Sequence, residues 1–136
     1  MEFNIYLTFN GNCEEAMNFY KDVLGGEIVM ISKFGDAPMP VEESQKGKVL
    51  HGILHAAGTK FMFSDTDGNH KVTFGDNFSA SLNFHSDEEI TKVFNTMSAG
   101  GKVTMDLQDT FWGARFGMCE DKFGVNWMFN YDKPKP

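Results

Sequence analysis

The chain has 136 residues, enough for one domain with a buried core. A formal charge of −7 excludes the cationic footprint that nucleic acid or an anionic membrane surface requires, so neither is expected as a partner. No basic start followed by an apolar run opens the chain, and no stretch approaches the about 18 apolar residues of a membrane candidate, which reads as a cytoplasmic protein. Cys13 and Cys119 lack CxxC spacing and are expected as free thiols. The 14 Phe and 9 Met fit either plain core packing or an apolar pocket that adapts to a ligand.

Residues 3–9 alternate, with Phe3, Ile5, Leu7 and Phe9 on one face and Asn4, Tyr6 and Thr8 on the other, which predicts a strand. Asn12 and Glu15 have capping-box spacing, and Ala16, Phe19, Tyr20 and Val23 form one helical face ended by Gly25-Gly26. Strands are expected at 27–34, 48–56 and 60–65, with an exposed loop or flap from Gly35 to Gly47. Residues 66–76 read as a linker. The order then repeats: a strand at 78–84, a capping box at Ser86 and Glu89, a helical face of Ile90, Val93, Phe94 and Met97, a Gly100-Gly101 stop and a strand at 102–107. Residues 111–130, FWGARFGMCEDKFGVNWMFN, supply the last two strands around a tight turn.

The halves superimpose at an offset of 75 early (Leu7 on Leu82, Met30 on Met105) and 66 late (Phe61 on Trp127, Met62 on Met128), so the first carries nine extra residues (75 − 66), assigned to the 35–47 loop. The helix faces fit better at 74 (Ala16 on Ile90). Two βαβββ units that cannot each close a core alone predict an α+β fold built in tandem, one domain over 1–136 with modules at about 1–66 and 77–132.

Three runs carry a resemblance: FNGNCEEAMNFYKDVLGG, HGILHAAGTKFMFSD and FWGARFGMCEDKFGVNW. The chain resembles, along its whole length, the vicinal oxygen chelate superfamily of glyoxalase I, bleomycin-resistance proteins and extradiol dioxygenases, and within it the PhnB-like branch. Lys122 stands where that branch commonly has Pro, a change the turn should survive. The resemblance implies curved mixed sheets enclosing a cleft, a homodimer, and in many members a divalent metal held from the first and fourth strands of each module. Carried over, those ligand positions fall on Asn4 (or Ile5), Met62, Ser79 and Met128. None is His, Asp or Glu, so no metal and no other cofactor is expected.

Strand alternation puts Asn4, Tyr6, Thr8, Met62, Ser64, Ser79, Ser81, Asn83, Asn126, Met128 and Asn130 on the cleft face. It also puts Arg115, Gly117 and Cys119 there, beside Trp112. A small organic ligand is therefore expected against Tyr6, Met62, Ser81, Trp112, Arg115 and Met128. Arg115 suits a ligand carboxylate or phosphate, or else a surface ion pair with an acid. His51 and Tyr6 are candidates for acid–base work, against a plain reading of His51 as a satisfied strand histidine. His51 and His55 stand ~13 Å apart at ~3.3 Å per residue, too far to share one ion. Cys119 lacks a nearby base and reads as an inert thiol. The function expected is metal-free binding of a small molecule. The alternative is a lyase, isomerase or dioxygenase reaction, acid–base or metal-dependent through His51, Glu120 or Asp121.

Overall fold

The structure is a computed structural model and describes residues 1–135. In chain order the elements are β1 (Ile5–Phe9), α1 (Cys13–Leu24), β2 (Glu27–Lys33), β3 (Val49–Ala56), β4 (Thr59–Asp65), β5 (Ala80–Phe84), α2 (Asp87–Ser98), β6 (Lys102–Asp109), β7 (Ala114–Glu120) and β8 (Asn126–Asp132). The first four strands form a sheet of order β1-β4-β3-β2 and the last four one of order β5-β8-β7-β6. In each, the first and fourth strands pair parallel and the other pairs run antiparallel. Two compact units result, one from Met1 to Thr73 and one from Phe74 onward. The tandem βαβββ architecture predicted from the repeat is present.

The register ambiguity has a structural origin. Strands β2 and β6 start 75 residues apart (102 − 27), whereas the helices start 74 apart (87 − 13). Three residues link β1 to α1 and two link β5 to α2; after the helices the counts reverse. The later strands β3 and β7 start 65 apart (114 − 49), so the first module carries ten extra residues here (75 − 65), one more than the sequence comparison indicated. They lie in the 35–47 loop, which is less free than expected. Two short 3-10 turns, Phe34–Asp36 and Glu43–Gln45, build it, and Phe34 is buried. Its ends are tied by Phe34 N–H to the Lys48 carbonyl at 3.0 Å and Gly35 N–H to the Lys46 carbonyl at 3.1 Å.

Each helix covers one face of its own sheet. In the first unit Tyr20 stacks on Phe63 at 6.1 Å, and in the second Phe94 meets Phe129 edge-on at 5.1 Å. The buried stripe of α1 is Cys13, Ala16, Met17 and Tyr20; Met17, rather than Phe19, completes it. The second glycine of each helix stop is needed for closeness: a Cβ on Gly26 would stand 2.5 Å from the His55 carbonyl oxygen, and one on Gly101 would strike that of Glu120.

Two cap and core expectations need correction. Asn12 makes no side-chain cap bond to α1. A carboxylate from the far end of β4 takes that place: Asp65 Oδ1 accepts Gly11 N–H at 2.8 Å and Cys13 N–H at 3.0 Å, and Oδ2 accepts Val49 N–H at 2.9 Å. An ionised oxygen aimed at a helix N-terminus outcompetes a neutral amide. Ser86 does cap α2, accepting Glu89 N–H at 3.1 Å. Phe3 and Phe78 are not core: both precede their predicted strands' ordered part and are 93% and 83% exposed.

Candidate functional site

Opposite α1, the first sheet leaves an open face. Its centre is one row across four strands: Tyr6 pairs with Met62, Met62 with Ile53, and Ile53 with Met30. The second sheet repeats the row as Ser81, Met128, Met118 and Met105. None of these eight residues is buried. Five of the nine methionines (Met30, Met62, Met105, Met118, Met128) thus stand on open sheet faces, while only Met17 and Met97 are core. The methionine excess is therefore not mainly core packing. These are flexible, polarizable side chains that can fit an irregular apolar guest.

One polar pair stands on the first face. The Tyr6 hydroxyl lies 3.1 Å from His51 Nδ1, and the two rings stack at 5.7 Å with 26° between planes. Tyr6 reaches across β4 to do this, because β4 lies between β1 and β3. Tyr6 is 47% exposed, so the pair is open to a guest molecule. Tyr6 and His51 were each legible in the sequence as candidates. Their pairing was not, since it spans 45 residues and depends on the register of three strands.

Arg115 is elsewhere, and this corrects the alternation argument. A Cβ on Gly117 would stand 2.9 Å from the Phe94 ring of α2, so Gly117 faces the helix. Arg115 and Cys119, two residues away on either side in β7, face that way too. Arg115 Nε lies 3.3 Å from Asp87 Oδ1 at the start of α2, and a terminal guanidinium nitrogen lies 3.5 Å from Asp109 Oδ1. Lys133 joins Asp109 at 2.7 Å and is the main cause holding that carboxyl below its usual range. The ion-pair alternative for Arg115 is the one formed. The alternation misled because β7 carries large apolar side chains, Phe116 and Met118, on its open face, and Gly117 and Cys119 beneath the helix. A mid-strand glycine marking close approach was the available signal.

The remaining expected site residues are dispersed. Trp112 is 60% exposed at the β6–β7 turn, edge-on to Phe111 at 5.0 Å. Asn4 precedes β1 and donates to Glu2 Oε1 at 2.9 Å; this bond first, and Lys60 next, hold the Glu2 carboxyl low. Ser79 precedes β5, outside the strand that was to carry it. His55, His70 and His85 are exposed. Asp121 is committed to structure: Oδ1 accepts Phe123 N–H at 2.8 Å and Val125 N–H at 3.1 Å, and Oδ2 accepts Trp127 Nε1–H at 2.8 Å. Among the described residues no three His, Cys, Asp or Glu side chains stand together as a metal group. Burial pushes the Cys119 thiol up to about 12, with the Asp121 charge adding to it, and pushes Cys13 higher still. Neither thiol is nucleophilic at neutral pH.

The model of the 3-demethylubiquinone-9 3-methyltransferase family matches residues 1–129. The chain belongs to this PhnB-like family. It is 33% identical to Protein YjdN of Escherichia coli (strain K12), covering 100% of this chain and 99% of that one. The crystal structure of protein PA1353 from Pseudomonas aeruginosa superimposes with a TM-score of 0.90 at 39% identity, over 98% of this chain and 99% of that one. A putative 3-demethylubiquinone-9 3-methyltransferase, PhnB protein, from Bacillus cereus gives 0.83 at 33% identity, over 96% and 99%. The fold of this PhnB-like chain is that of the glyoxalase/bleomycin resistance/dioxygenase superfamily. Among its described residues no helix is long and apolar enough to cross a membrane.

Proposed function

We propose that this PhnB-like protein binds a small, largely apolar organic molecule without a metal, on the open face bearing Tyr6, Met62, Ile53 and Met30. The observation that carries the reading is the exposed Tyr6–His51 hydrogen bond beside a row of methionines. The row offers adaptable apolar contact and the pair offers one donor and one acceptor to orient the guest. The open face of the second sheet, with Ser81 and Met128, is built in the same manner. Arg115, tied to Asp87 and Asp109, is left out of this site.

We expect no metal because of the donor set: at the ligand positions that the family resemblance implies stand an amide, a hydroxyl and two thioethers, which do not suit Zn²⁺, Ni²⁺ or Fe²⁺. Methyl transfer, the activity in the family's name, gains no support from the residues; the β1–α1 link is Asn10-Gly11-Asn12, without the glycine-rich loop of a nucleotide site. We expect a cytoplasmic homodimer, which light scattering would check.

A second reading is favoured by the same pair. A tyrosine hydroxyl hydrogen-bonded to an imidazole can pass a proton to or from a bound molecule, as acid–base chemistry needs. A fragment screen by thermal shift on untagged protein, with and without added Zn²⁺, Ni²⁺, Mn²⁺ and Fe²⁺, tests binding, because a ligand of the native state raises stability. Fragments should raise Tm without metal. Tyr6→Phe and His51→Ala should each weaken hits by ~2–10-fold, the worth of one hydrogen bond. Hits indifferent to both changes, or near one equivalent of tightly held metal by mass spectrometry, would overturn the reading. Turnover of a hit, lost in both variants, would convert it to the acid–base one.

A further inference from the structure

A hollow lies where the 35–47 loop meets the residues after β4. It has a volume of about 210 Å³ and is lined by Asn10, Gly11, Gln45, Lys48, Thr66, Gly68, His70 and Lys71. At ~30 Å³ per water this is room for about seven waters, or for a small anion with part of its hydration.

The charge of this lining is unusual for the chain. The protein carries 19 acidic and 12 basic residues, yet the hollow gathers two lysines and a histidine and not one carboxylate. Among the described residues neither Lys48 nor Lys71 ion-pairs with an acid; Lys48 Nζ instead donates to the Gly11 carbonyl at 3.0 Å. The acids next to the lining make their hydrogen bonds to backbone N–H groups. Asp67 accepts from Asn69 N–H at 2.9 Å, and the buried Asp65 spends both oxygens on three backbone N–H groups.

An independent observation lies in the wall. Gln45 lines the hollow, and its Oε1 is buried with no hydrogen-bond partner among the described residues. An orphaned buried acceptor is costly. The other end of the same amide is at the hollow: Gln45 Nε2 would stand 2.5 Å from a Cβ built on Gly68, another lining residue, and as an NH₂ it can donate to an anion seated between the lysines.

We propose that this hollow is an anion site, for a phosphate group or a small molecule carrying one, held by Lys48, Lys71 and the Gln45 amide. Its position gives it a consequence. Gln45 and Lys48 close the long loop, whereas Thr66–Lys71 open the link toward the second module. An anion bound by both would fasten the loop to that link. The site is separate from the Tyr6–His51 face and stands or falls without it.

The test is a thermal titration with inorganic phosphate against chloride at matched ionic strength, followed by ¹H–¹⁵N spectra. Lys71→Glu is the informative variant, since Lys71 is exposed and its ammonium has no acid partner to lose. The wild type should show a saturable rise in Tm, with shifts in the Gln45 side-chain amide and in the backbone amides of His70 and Lys71. Lys71→Glu should keep its basal Tm and lose the saturable rise. Glycerol 3-phosphate identifies the source: tighter binding than phosphate means a phosphorylated metabolite, and equal binding means the free anion. A rise of equal size in wild type and Lys71→Glu would be the general effect of an excluded salt and would overturn the proposal, as would a silent Gln45 amide.

Discussion

The two open sheet faces start from one plan and end in different chemistry. Tyr6, Met62, Ile53 and Met30 in the first module correspond to Ser81, Met128, Met118 and Met105 in the second, strand by strand. Beneath the helices the copies stay alike: Phe63 and Phe129 pack on Tyr20 and Phe94, and Gly52 and Gly117 each let a helix side chain close on the sheet. The difference is concentrated above. The first module carries a tyrosine–histidine pair, whereas at the matching offsets (6 + 75 and 51 + 65) the second has Ser81 and Phe116. A duplicated fold must conserve the face that packs, and is free to specialise the face that does not.

The largest expected effect comes from the buried carboxylates, which the modules place differently. Asp65 ends β4 and Asp121 follows β7, yet each satisfies three N–H donors. Changing either to Ala leaves those donors without an acceptor, at ~1–3 kcal/mol for each one buried. Urea denaturation of Asp65→Ala and Asp121→Ala should therefore show losses of about 3 kcal/mol or more in both. A small loss in one alone would mean that its module does not depend on its carboxylate.

The matched glycines give a smaller, graded contrast. At Gly52 an added Cβ meets the Met17 Sδ and Cε at 2.6 Å, the mobile end of a side chain. At Gly117 it meets the Phe94 ring at 2.9 Å and the Leu107 Cα at 3.1 Å, neither of which moves easily. Gly117→Ala should cost about 1–3 kcal/mol and Gly52→Ala less, measured by the same denaturation. Equal costs would show that Met17 is as fixed as Phe94.

The thiols separate the modules least. Both are protonated in the folded state well past the ordinary thiol value of 9.0, Cys119 until about 12. Below pH 9 folded and unfolded thiols are alike and contribute no pH dependence. Above it the unfolded chain ionises first, so stability should fall as pH rises from about 9 toward 12. Cys119→Ser should flatten part of that slope, and in the native protein at pH 8 neither thiol should react with a disulfide reagent at a measurable rate.

The tandem order was legible because periodicity, helix stops and the repeat all pointed to one answer. What stayed hidden depended on contacts remote in sequence. Asn12 has the right type for a cap, but Asp65 arrives from 52 residues away and takes the Cys13 N–H. Arg115 has the right charge for a ligand, but the phase of β7 is set by Phe94 closing on Gly117. Tyr6 and His51 could be read singly, since residue type shows chemistry; their partnership needed the strand order β1-β4-β3.

The most direct test is a spectrum of protein labelled with ¹³C at the nine methionine methyls, titrated with the strongest fragment in the presence of EDTA. The account predicts that Met62 and Met30 shift, that the buried Met17 and Met97 stay still, and that EDTA changes nothing. Shifts confined to Met1 or Met39, or shifts that EDTA abolishes, would contradict a metal-free site on the Tyr6–His51 face.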